Sequence, residues 1–173
     1  MDAATAVNRA LSALGKGTKY KSPGKMPPLE ASSWPAGAKN DCSGFCCWVL
    51  RFSPDRKIKH PLYEEVNGGY FETTGLWTDG MKDTGYFSAL DNPRPGAILV
   101  YPDYKDSTGK MRDGHMGVVV EVNPKAKGIA AVTRIVHCSS LNKGDAIQAT
   151  DPKRWLARKE SIIVWQEGMK PIT

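Results

Sequence analysis

The sequence predicts an α+β domain in which helices precede an antiparallel sheet. Helical spacing of apolar residues is confined to the first part of the chain, around 4–14 and 42–52. After Pro95, short apolar runs bounded by Gly, Pro, Asn and Asp recur instead. Helices first and strands after argue for segregation of the two, not for the alternation of a doubly wound fold. At 173 residues, with 40% apolar and 24% charged, the chain reads as one globular domain over 1–173.

The elements follow in order. Ala4 to Leu14 read as a short amphipathic helix closed by Gly15 and Gly17. From Thr18 to Lys39 the chain is rich in Pro, Gly, Ser and Lys without periodicity, a loop. Asn40 or Asp41 can cap a helix from Cys42 to Phe52, with Phe45, Cys46, Val49 and Leu50 at helical spacing and Ser53-Pro54 as its stop. Between 55 and 90 only a short helix near Thr78–Lys82 stands out. Strands are expected at 97–101, 116–121, 130–137, 145–150 and 161–166, with a polar loop over 103–113 and a helical turn over 152–158.

The net charge of +6 is scattered along the chain and favours an anionic partner, whether nucleic acid, membrane surface or bacterial cell wall, without choosing among them. The chain holds no phosphate-cradling Gly-rich motif and no helix-turn-helix pattern, and no apolar window approaches the roughly 20 residues of a membrane span. Met1–Thr5 carries neither the basic nor the apolar part of a signal peptide, so the expectation is synthesis in the cytoplasm without one. Cys42, Cys46, Cys47 and Cys138 fit neither a paired zinc spacing nor a disulfide framework, and reduced thiols are expected, with no metal and no other cofactor. Trp48 and Trp165 are expected in the core; Trp34 and Trp77, in loops, are candidates for a cleft.

Cys42 stands apart because it opens a predicted helix. Unpaired N–H groups and the positive end of the helix dipole stabilise a thiolate there, and a neighbouring imidazolium adds to the effect. The same N–H groups can face a tetrahedral oxyanion. Only three histidines exist to pair with it. His60, between Lys59 and Pro61, is expected in an exposed loop, whereas His115 opens a predicted strand and His137 ends one.

Asp41-Cys42-Ser43-Gly44-Phe45 resembles the nucleophile segment of the NlpC family of cell-wall cysteine peptidases. Further similarities follow in order: Arg94-Pro95-Gly96-Ala97-Ile98-Leu99 at a strand entry, Gly114-His115-Met116-Gly117-Val118 at the strand of the base, and Val136-His137-Cys138-Ser139 at the strand of the third residue. Upstream, Gly17-Thr18-Lys19-Tyr20 is similar to the segment carrying a substrate-facing tyrosine. The resemblance spans roughly 8–168 and implies a papain-like fold, a nucleophile-bearing helix packed on an antiparallel sheet. It implies Cys42 as nucleophile, His115 as base and His137 as the residue orienting that base, with Tyr20, Asp41 and Ser43 binding substrate.

The activity so implied is hydrolysis of peptide bonds in the peptidoglycan stem, between D-glutamate and the diamino acid. The expected setting is the periplasm or cell wall, reached by specialised export or by lysis, as an antibacterial effector or a phage lysis enzyme. A monomer is expected whose partners are the stem peptide and an immunity or inhibitor protein, with neither nucleic acid nor membrane. Two alternatives stand beside it: the same triad on a non-wall acyl group, as in an acyltransferase, deamidase or lipid acyl hydrolase, and a catalytically inactive binding module. Three segments depart from the family pattern and are expected to border the cleft: 21–40, 54–92 and the hairpin 123–133.

Overall fold

Asp2 starts the first helix by accepting the Thr5 N–H at 2.7 Å, and α1 runs Ala3–Ser12 with Ala3, Ala6 and Ala10 turned inward. In this computed structural model the described residues are 1–53 and 60–172. The segment after α1 is tied at several points. Lys19–Tyr20 (β1) pairs in parallel with Lys39–Asn40 (β2), and Asp145 accepts the Gly17 and Thr18 amides. Arg9 is buried and gives its N–H groups to the carbonyls of Leu29, Ala31 and Trp48, with its guanidinium stacked on the Trp48 ring. A buried cation satisfied by carbonyls fastens this segment to the helices beneath it.

The central helix α2 is Cys42–Leu50, and all nine of its residues are buried. Asp41 caps it, its carboxylate accepting the Gly44 N–H at 2.8 Å, as expected. It ends sooner than expected. Arg51 turns left-handed at φ 52°, and Phe52 N–H reaches back to the Cys47 carbonyl at 2.9 Å, so the stop is a Schellman-type turn. Pro54, the expected breaker, lies outside the described residues. Asn40, fully buried before the cap, has its side chain wedged against Gly24 and Gly44 so closely that a Cβ at either would overlap it. The glycine of Asp-Cys-Ser-Gly-Phe is therefore a matter of space.

Two further helices follow, α3 (Pro61–Asn67) and α4 (Thr73–Lys82); α3 went unanticipated, and α4 is longer than the short helix expected. His60 is not in an exposed loop. It caps α3, with Nδ1 accepting the Leu62 N–H at 3.2 Å and Nε2 meeting the Thr84 carbonyl at 2.7 Å.

The sheet is formed by β3 (Phe87–Leu90), β4 (Ile98–Tyr101), β7 (His115–Val122), β8 (Val132–Cys138), β9 (Ile147–Thr150) and β10 (Ile162–Gln166). Their order is β3-β10-β4-β7-β8-β9, and every pairing is antiparallel. A two-stranded ribbon, β5 (Tyr104–Lys105) with β6 (Met111–Arg112), occupies the loop between β4 and β7. A 3-10 turn, Gly128–Ala131, leads into β8, and α5 (Lys153–Leu156) joins β9 to β10. All of β4 and the first six residues of β7 are buried, so the sheet's centre is covered on both faces. Helix α2 lies on β7 and β8, and α4 lies on β3, β4 and β10. The expected α+β class, with its helix on an antiparallel sheet, is the observed one.

Candidate active site

Cys42 is the first residue of α2, and β7 begins beside it. The Met116 backbone, one residue past His115, favours charge on the Cys42 sulfur, and the Ser43 hydroxyl lies 4.0 Å from it. His115 and His137 occupy adjacent strands and meet through their rings: Nε2 of His115 is 2.8 Å from Nδ1 of His137. The approach of the strands here depends on Gly117, where a Cβ would come within 2.9 Å of the His137 Cβ. His137 is held in turn by Thr150, whose Oγ1 is 3.1 Å from Nε2. Trp155, fully buried on α5, closes the far side, its ring 5.3 Å from each imidazole.

The thiol opens onto a cleft of about 240 Å³ lined by Tyr20, Asp41, Ser43, Glu72, Asp103 and Asp113, among others. Thus the three residues predicted to bind substrate do line the space that Cys42 faces. Of the three departing segments, 21–40 supplies Ser22 and Pro23 to the cleft, and 54–92 supplies Tyr70, Glu72 and Thr73. The hairpin 123–133 does not border it; its residues line a separate hollow with Asn92 and Pro93. Trp34 is also corrected. It is buried against Phe45 and Trp48, its indole N–H given to Thr18, while Trp77 gives its own to the Glu160 carbonyl. The carboxylates Glu72, Asp103 and Asp113 were not picked out in the sequence, although Asp113 sits two residues before His115. Although the chain carries +6, every Asp, Glu, Lys or Arg side chain lining this cleft among the described residues is acidic.

Electrostatics departs from the expected thiolate. Cys42 is 7% exposed, and burial followed by the Asp41 carboxylate pushes its thiol up to about 12, outweighing the Met116 backbone, Ser43 and Arg154. Burial, then Arg154, brings His137 down to about 4, and burial, Arg154 and His137 hold His115 well below the usual imidazole value. The resting site therefore holds a neutral thiol and two neutral imidazoles. Arg154 is anchored near them by its hydrogen bonds to the Tyr101 hydroxyl and Ser139 Oγ, each 2.8 Å.

A profile of the CHAP domain matches residues 32–137, more than half of the chain, and takes in Cys42, His115 and His137. The chain belongs to the CHAP family. CHAP domains are cysteine peptidases and amidases of the NlpC/papain-like type that act on peptidoglycan, which places this chain among them. No curated protein sequence matches it. The matched span ends before Thr150, Arg154 and Trp155, so the residues that surround the two histidines from β9 and α5 belong to the part of this CHAP protein beyond the match.

The buried neutral histidines make the fold sensitive to acid. In the unfolded chain a histidine takes up a proton near pH 6.5, while in the folded chain His137 waits until about 4 and burial lowers His115 in the same direction. Between those values the unfolded state binds more protons, so stability rises with pH and is lost as pH falls below about 6.5. His137 should lower the unfolding free energy by on the order of 2 kcal/mol from pH 7 to pH 5, and His115 adds to the loss in the same direction. Urea unfolding at the two pH values measures this, and equal stabilities would mean that the imidazoles are charged in the fold.

Proposed function

We propose that this CHAP protein cleaves the peptidoglycan stem peptide between D-glutamate and the diamino acid, with Cys42 as nucleophile, His115 as base and His137 orienting the base. One observation carries the reading: Cys42 lines the cleft at the start of a buried helix, and that helix packs on the two neighbouring strands that carry the paired histidines.

Because the resting thiol is neutral, its proton moves to His115 as the sulfur attacks the carbonyl carbon. The C–S bond forms, the carbonyl π pair moves to oxygen, and the positive end of α2 opposes the growing charge. Collapse expels the amine, which takes its proton from His115 and leaves a thioester on Cys42. Water, deprotonated by His115, attacks that thioester; the acid product departs and the thiol is restored. The acidic lining supports a substrate with an ammonium group, either a free amino end or the side chain of a diamino acid. Asp41 and Ser43, which line the cleft with Cys42, take the amino end in this reading, and Tyr20 borders it.

Digestion of purified sacculi, with products assigned by mass, tests the reading. New free D-glutamate carboxyl ends paired with new diamino acid amino ends are expected. Products cut at another bond would correct the specificity, and no release under any condition would move the activity to a non-wall acyl group.

A further inference from the structure

The chain of hydrogen bonds running from His115 to β9 has a direction. Thr150 Oγ1 lies 3.1 Å from the Asp151 carbonyl, which can only accept, so the hydroxyl's single proton is committed there. Toward His137 the same oxygen can then only accept, which requires the proton of His137 to sit on Nε2. Neutral His137 accordingly has a bare Nδ1, and that atom accepts from Nε2–H of His115 at 2.8 Å. Neutral His115 is left with a bare Nδ1. If the hydroxyl instead pointed at His137, every donor in the chain would reverse, and Nδ1 of His115 would already carry a proton.

Position supports this. In the β8–β9 register Gln148 stands opposite His137, so Thr150 is its diagonal neighbour on the same face. The groups facing His115 are Tyr101 from β4, His137 from β8, and Trp155 with the cationic Arg154 from α5, and helix α2, which carries Cys42, packs on the same strand β7. Among these, only His137 is hydrogen-bonded to the His115 ring. We propose that Thr150 is a positioning residue that sets the tautomer of His137 and, through it, keeps Nδ1 of His115 free to receive the Cys42 proton. This rests on the reading of Cys42 and His115 as nucleophile and base.

The test needs no wall substrate. In protein labelled with 15N-histidine, NMR reports which ring nitrogen carries the proton, and only three histidines contribute. His60 is an internal standard: its Nδ1 accepts the Leu62 amide, so its proton is on Nε2. At pH 7 all three are expected as Nε2–H. In Thr150→Val, His137 and His115 should shift toward Nδ1–H while His60 stays, and alkylation of Cys42 by iodoacetamide should slow about three- to tenfold, the worth of one hydrogen bond. Thr150→Ser should restore both. Nδ1–H on His115 in the unaltered protein, or tautomers unchanged in a folded Thr150→Val, would overturn the proposal. Should the valine variant not fold, the unaltered protein still decides through its own tautomers. Failure to digest sacculi with the expected tautomers present would count against the wall substrate alone.

Discussion

His115→Gln should lower kcat on muropeptides at pH 7 by about 10²- to 10⁴-fold while leaving the protein folded. With burial pushing the Cys42 thiol well above its usual value, the resting thiol is protonated at pH 7. Attack by a pre-formed thiolate is thus negligible, and a group must take the proton as the bond forms. Glutamine can keep a hydrogen bond to Nδ1 of His137 but has no nitrogen lone pair basic enough to serve. Steady-state kinetics alongside a thermal melt separates lost chemistry from lost fold. A variant within threefold of the parent would remove His115 from the mechanism.

Trp155→Ala should cost about 3–5 kcal/mol of stability, the usual range for removing a large buried aromatic. The loss also reaches the site, because the indole packs at 5.3 Å against both imidazoles. Activity per folded molecule should therefore fall as well. The indole N–H has no hydrogen-bond partner among the described residues, so the contribution is packing. Trp155→Phe keeps a ring in place and should recover most of both losses. Urea unfolding and kcat measured on the folded fraction check the pair; an alanine variant costing under 1 kcal/mol would contradict this role.

The helix that carries Cys42 was legible because capping and termination have local signatures, and Asp41 does cap it. The strands of His115 and His137 were legible from apolar runs between Gly and Pro. What escaped the sequence was long-range or lacked periodicity. Helix α3 spans only Pro61–Asn67, too short for a period to show. The pairing of His60 with α3 and Thr84, and of Arg9 with three carbonyls, depends on backbone groups that look alike in any sequence. Trp34 reads as a cleft candidate because it lies in a loop, yet the fold of that loop turns it onto Phe45 and Trp48. Thr150 carries no motif and joins the site only through the register of β9 on β8. The direction of the Cys42 shift was missed for a physical reason: helix-end chemistry is readable from position, but the depth of burial that overrides it is not.

The most direct test of the account is to quench its reaction midway. Muropeptide is mixed with enzyme, the mixture is acid-quenched within milliseconds, and the adduct is mapped by mass spectrometry. The account predicts an acyl group ending at D-glutamate on the peptide containing Cys42, absent from Cys42→Ala, which should also lack turnover. An adduct on another residue, or turnover that survives in Cys42→Ala, would contradict it.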